Sequence, residues 1–242
     1  MILPKLNTIT HKLNLPSTGQ EIVYRPYTVE EEKILLTTQE SDEAGDVLRA
    51  IRQVMKNCVQ TDINIESLPT FDIEYIFLNV RGKSTGDEIE LMLKHENSTN
   101  SRNEICEHKQ PIRIMIDDIQ VFKPEGHVNK FQLDENVGVQ MKYPTFESLS
   151  INNQNSDEFE QLIEMISSSI DMIYDKEQVY DINDVPKEEV REFICSMNQK
   201  QLAMIQTFFE TMPVLKHEVK YKCSKCGSDE VVEVTGFQNF FS

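Results

Sequence analysis

The run Glu88-Ile89-Glu90-Leu91-Met92-Leu93 decides the fold class. Apolar and polar side chains alternate along it, the period of a half-buried strand. Ile112-Arg113-Ile114-Met115-Ile116 resumes the alternation, and Val137 to Tyr143 supplies another strand. Between them, Glu96 to Glu104 is a polar stretch rich in Asn and Ser that reads as a loop. Residues 87–143 are therefore predicted to form a small antiparallel sheet. On both sides of it the hydrophobic period is helical, so the expected class is α+β, with two mainly helical blocks flanking that sheet.

Working outward toward the N-terminus, a helix is predicted from about Pro69-Thr70 to Gly82, burying Phe71, Ile76, Phe77 and Val80. Another covers about 43–58, with Val47, Leu48, Ile51, Val54, Met55 and Cys58 on one face. Thr28-Val29-Glu30-Glu31 has the form of a capping box, and Glu30, Glu31 and Glu32 suit the positive end of a helix over about 28–40. Ahead of it, two alternating runs, residues 10–15 and 20–25, flank Pro16-Ser17-Thr18-Gly19 and read as a hairpin.

Toward the C-terminus, Phe159, Leu162, Ile163, Ile166, Ile170 and Ile173 form one stripe of a helix predicted over 157–174. Pro186 is placed to open another helix, and Asn198 to Met212 reads as a third, stopped by Pro213. The tail 217–235 is strand-like and broken at Cys223-Ser224-Lys225-Cys226-Gly227. The expected organisation is an N-terminal hairpin and helical block (1–86), an inserted antiparallel sheet (87–150), an acidic helical block (151–215) and a strand tail carrying the Cys-x-x-Cys (216–242). These are expected to act as one interdependent unit.

The 242 residues carry 24 basic and 41 acidic side chains, a formal net charge of −17. Such a field repels phosphate backbones, and no basic patch offsets it. The densest basic stretch, Lys216 to Lys225, is flanked by acidic residues. Nucleic acid is therefore not an expected partner. Residues 151–200 hold 12 acidic and 4 basic side chains, which reads either as a solvated helix face or as a surface that meets a basic partner. No apolar run approaches the roughly 18 residues a membrane span needs, and Met1-Ile2-Leu3-Pro4-Lys5-Leu6 lacks the form of a secretory signal. A membrane is not an expected partner either.

Five cysteines, Cys58, Cys106, Cys195, Cys223 and Cys226, are too sparse and irregular for a disulfide framework. The exception is Cys223-x-x-Cys226-Gly227, the shape of a zinc knuckle. Its tight turn lets two thiolates converge on one ion at about 2.3 Å. A structural zinc site takes four ligands. Cys106 and His108, and also His95, are the candidates for the rest. Two other readings stay open: uncommitted thiols in an ordinary hairpin turn, and a redox pair, although that motif normally precedes a helix.

Other chemistry-bearing residues read as structural. Cys58 and Cys195 lie on apolar helix faces, His11, His127 and His217 have no evident partner, and Asp117-Asp118 terminates a strand. There is no Walker loop, dinucleotide fingerprint, GxSxG elbow or HExxH helix. No enzymatic activity is expected. Phe237, Phe240 and Phe241 need cover, from this chain or from a partner.

The longest ordered signal is a resemblance. Leu15-Pro16-Ser17-Thr18-Gly19, followed by Tyr24-Arg25-Pro26-Tyr27-Thr28-Val29-Glu30-Glu31-Glu32-Lys33-Ile34-Leu35-Leu36, resembles the start of the T4-type phage baseplate hub assembly proteins. The resemblance continues through Ala50-Ile51-Arg52-Gln53, Leu68-Pro69-Thr70-Phe71-Asp72-Ile73-Glu74-Tyr75-Ile76-Phe77-Leu78 and Val80-Arg81-Gly82-Lys83-Ser84. It returns at Asp117-Asp118-Ile119, Met141-Lys142-Tyr143-Pro144-Thr145, the Cys-x-x-Cys and Phe240-Phe241. It implies a non-enzymatic role in building the hub of a contractile-tail baseplate in the infected bacterial cytoplasm. The implied partners are hub proteins and the tail tape-measure protein. Relatives are of two kinds, assembly chaperones and hub subunits retained in the virion. The resemblance also implies a fuller cysteine cluster in the middle sheet, where this chain offers only His95, Cys106 and His108. A zinc-ribbon regulator that binds nucleic acid is the reading from another class, and the charge balance counts against it.

Overall fold

The structure is a computed structural model that describes residues 6–39, 44–94, 106–149 and 158–236. In chain order its elements are β1 (His11–Asn14), β2 (Glu21–Tyr24), α1 (Val29–Gln39), α2 (Ala44–Cys58), α3 (Thr70–Thr85), β3 (Glu88–Lys94), β4 (Lys109–Met115), β5 (Gln120–Phe122), β6 (Lys130–Gln132) and β7 (Gly138–Met141). There follow α4 (Phe146–Leu149), α5 (Glu158–Ser169), β8 (Ile170–Tyr174), β9 (Val179–Asp181), α6 (Lys187–Cys195), α7 (Gln199–Thr211), β10 (Val214–Lys222) and β11 (Asp229–Thr235). The mixed helix-and-strand class matches the expectation. The described residues fall into two compact units, one from within 1–63, 71–122 and 214–242, the other from within 64–70 and 123–213.

In the first unit β1 and β2 form the predicted hairpin, with Leu13 opposite Ile22 and both buried. The intervening turn closes through the Gly19 N–H on the Leu15 carbonyl, and Gly19 takes φ +75°, which favours glycine. The turn is tied down by Asp72 of α3. Its fully buried carboxylate accepts from the Ser17 N–H (3.0 Å) and from the Ser17 hydroxyl. At the start of α1, Glu31 reaches back to the Thr28 N–H as the capping pattern predicts. The Thr28 hydroxyl donates to the same carboxylate oxygen at 2.6 Å. The α2 helix buries Ala50, Ile51, Val54, Met55 and Cys58, whereas Val47, expected on that face, is exposed.

Almost every apolar residue of α3 is buried, which fits a helix enclosed on most sides. It does not stop at Gly82. A Cβ there would come within 2.8 Å of Ile116 Cδ1, so Gly82 serves close packing rather than termination. The cap is Gly86, at φ +120°, whose N–H returns to the Gly82 carbonyl.

The alternating runs of 87–143 do not share one sheet. The β3 and β4 strands pair with each other, from Glu88 opposite Met115 to Lys94 opposite Lys109. The chain then turns through Ile116–Asp118, and β5 pairs instead with β10, giving the order β11-β10-β5. The β3–β4 pair and the β11-β10-β5 sheet feed one core: Leu78 of α3, Ile89, Leu91 and Ile114, Ile116 and Ile119, and Leu215, Val219, Tyr221 and Val234.

In the second unit the order is β6-β7-β8-β9, all antiparallel. The helix expected over 157–174 ends at Ser169, and Ile170–Tyr174 is β8. Ile170 and Ile173 match the helical stripe, but as β-branched residues they suit a strand equally, and pairing with β7 decides the outcome. Gly138 stands opposite Tyr174, whose ring occupies the space a Cβ would take, 2.3 Å from that Cβ to Cζ. The α7 helix opens with a complete capping box, Asn198 accepting from the Gln201 N–H while the Gln201 side chain accepts from the Asn198 N–H. The core of this unit joins Phe131, Val139 and Met141 to Ile163, Ile166, Ile170, Val190, Ile194, Ile205 and Phe208.

Candidate metal centre

The turn between β10 and β11 is built by its own backbone. The Cys223 N–H donates to the Ser228 carbonyl and the Gly227 N–H to the Cys223 carbonyl, each at 2.9 Å. Gly227 sits at φ +75°, the conformation the knuckle pattern calls for. The first residues of β4 and those just before it are clamped onto this turn. Gln110 donates through Nε2 to the Lys222 carbonyl (3.1 Å) and accepts through Oε1 from the Ser224 N–H (2.7 Å). His108 Nε2 lies 3.0 Å from the Ser224 hydroxyl.

This clamp carries Cys106 to the knuckle. Its Sγ is 4.0 Å from that of Cys223, and the Sγ atoms of Cys106, Cys223 and Cys226 all lie within 4.8 Å of one another. A disulfide needs about 2.05 Å, so the thiols converge without a bond. Cys106 and Cys223 are buried and Cys226 is half-buried. The Ser228 N–H hydrogen bond is the largest influence on Cys226 and favours its thiolate. Burial and the two neighbouring thiols together outweigh it and push the thiol up. The Tyr221 hydroxyl is also buried and has no hydrogen-bond partner among the described residues. Burial raises its pKa first, followed by Glu230 and the three cysteines.

Of the residues singled out from sequence, Cys106, Cys223 and Cys226 are brought together. His108 touches the knuckle through Ser224 but lies outside the thiol cluster, and His95 falls outside the described residues. Cys58 is a core thiol, pushed up to about 11 by burial, whereas Cys195, expected on an apolar helix face, is exposed. His217 Nδ1 meets the Asp118 carbonyl, and His127 packs against both Tyr143 and Phe208. Gln110 and Tyr221 carried no signal in the sequence, because each reads as an ordinary strand position. The closing phenylalanines lie outside the described residues. Among the described residues no helix is long and apolar enough to cross a membrane.

The chain is thus an α+β protein with three convergent cysteines and a strongly acidic composition. A family model described as T4 bacteriophage base plate protein matches residues 7–242, and the chain belongs to that family. No curated protein and no solved structure matches it.

Proposed function

We propose that this chain is a non-enzymatic assembly factor that chaperones formation of the central hub of a phage baseplate in the cytoplasm of the infected bacterium. The family match over residues 7–242 supports a role in the baseplate, and the assembly role within it is argued from the surface of the second unit. The proposed clients are the hub proteins and the tail tape-measure protein.

The surface supports a holding role. The second unit exposes Phe159 and Met165 on α5 and Val179 and Tyr180 on β9, and β9 is an edge strand of its sheet. Acidic side chains surround them in the sequence, and Arg191, among the few basic groups of 151–200, is engaged by Glu160. Exposed apolar groups set in an acidic stretch of sequence suit a client segment that is both apolar and basic. The net charge of −17 would keep such a complex soluble.

The second reading is a hub subunit retained in the virion. The family description itself, a base plate protein, favours it. Co-expression with the neighbouring hub and tape-measure proteins, followed by affinity purification and mass spectrometry, tests the proposal. A soluble complex that fails to form without this chain, together with its absence from purified particles, is the expected result. Hub proteins equally soluble without it, and stoichiometric recovery from particles, would replace the assembly role with the structural one.

A further inference from the structure

We infer that Cys106, Cys223 and Cys226 bind one zinc ion as thiolates, with His108 as the fourth ligand, and that the ion joins the start of β4 to the β10–β11 turn. This goes beyond the assembly role and does not depend on it.

The first argument is distance. Three thiolates at about 2.3 Å from one tetrahedral ion stand about 3.8 Å apart. The Cys106–Cys223 separation of 4.0 Å is nearly that value, and the whole set lies within 4.8 Å. Contraction by up to about 1 Å brings the three thiols to that spacing. The second is chemistry. Three sulfur donors select a soft or borderline ion such as zinc over magnesium or calcium, which take oxygen.

The third is the supporting shell. Gln110 bridges the two segments through backbone groups of Lys222 and Ser224, so the thiols are held together before any ion arrives. Three thiolates, one neutral imidazole and Zn²⁺ carry a net charge of −1, and Lys222 and Lys225 flank the turn.

His108 is assigned by position. It lies two residues from Cys106, and its Nε2 already rests on Ser224 inside the knuckle. Exchanging that hydroxyl for the ion completes a Cys₃His set. The result is structural rather than catalytic, because a closed site leaves no position for a substrate. It joins residues 117 positions apart in the chain.

The test uses the full chain, purified under reducing conditions with zinc, and with cobalt as a spectroscopic probe. The expected result is one zinc per chain by elemental analysis, and a cobalt form showing tetrahedral ligand-field bands with thiolate charge transfer. Cys226→Ser should lose both, Cys226→His should restore binding, and Cys195→Ser should keep the full complement. His108→Ala should bind roughly tenfold or more weakly in competition with a chromophoric chelator. Absence of zinc from the reduced wild type, full retention by Cys226→Ser, or a Cys106–Cys223 or Cys223–Cys226 disulfide in reduced preparations would overturn the site. Unchanged affinity in His108→Ala would overturn the fourth ligand.

Discussion

Glu31→Gln should be among the most destabilising single-atom exchanges in the chain. The carboxylate is 3% exposed and joins three elements. It accepts from Arg25 Nη2 at 2.7 Å and Nη1 at 3.3 Å just beyond β2, from the N–H and hydroxyl of Thr28 at the head of α1, and from Asn57 Nδ2 (3.3 Å) in α2. The Arg25 guanidinium above all, with Thr28 behind it, outweighs burial and holds Glu31 at about 2 instead of the ordinary 4.5. At 1.36 kcal/mol per pH unit, that difference is worth about 3 kcal/mol. Breaking a largely buried ion pair from one side costs about 3–5 kcal/mol, which agrees in scale.

The sign follows from linkage. A depressed folded pKa means the unfolded chain binds the proton more readily. The stabilisation is therefore complete above about pH 4.5 and is lost as pH falls toward about 2. Urea titration read by pulsed hydrogen exchange on peptides covering residues 20–60 isolates the affected unit. Glu31→Gln should lose about 3 kcal/mol at neutral pH, and its deficit should vanish by about pH 2. A deficit below about 1 kcal/mol, the size of an exposed ion pair, or one that persists unchanged in acid, would refute the reasoning.

Ser17→Ala removes the hydroxyl from the buried Asp72 carboxylate and should cost about 1–3 kcal/mol, read as a lower urea midpoint for the first unit. Asn198→Ala breaks the capping box of α7 and should cost about 1 kcal/mol in the second unit, with Asn198→Asp close to wild type. Gly138→Ala forces a Cβ into the Tyr174 ring and should cost about 1–3 kcal/mol by thermal unfolding. The penalty should largely disappear in a Tyr174→Ala background, and a penalty that survives there would place its cause in the backbone.

Local rules were most reliable at turns and along well-patterned helices. The β1–β2 hairpin, the return of Glu31 to Thr28, the α3 helix and most of the α2 face follow from turn chemistry and from the 3.6-residue period. Gly82 shows where such rules run out. A glycine near a helix end reads as a stop, yet here the constraint is the Ile116 side chain packed against it. Ile170–Tyr174 shows it again, since the same β-branched residues satisfy a helix stripe and a strand.

From the residues alone came the α+β class, the acidic character, the Cys-x-x-Cys turn and the candidacy of Cys106 and His108. Tertiary structure alone decided which strands pair. Val214 to Lys216 of β10 takes β5 as its neighbour from more than ninety positions earlier, and β5 thereby leaves the β3–β4 pair. Tertiary structure also placed Cys106 at 4.0 Å from Cys223, through a Gln110 clamp that resembles any strand residue in the sequence. The reason is physical. Period and turn chemistry act over a few bonds and are written residue by residue, whereas every strand edge offers the same backbone donors and acceptors. The choice among edges is made by the burial of a shared core, which no single stretch of sequence contains.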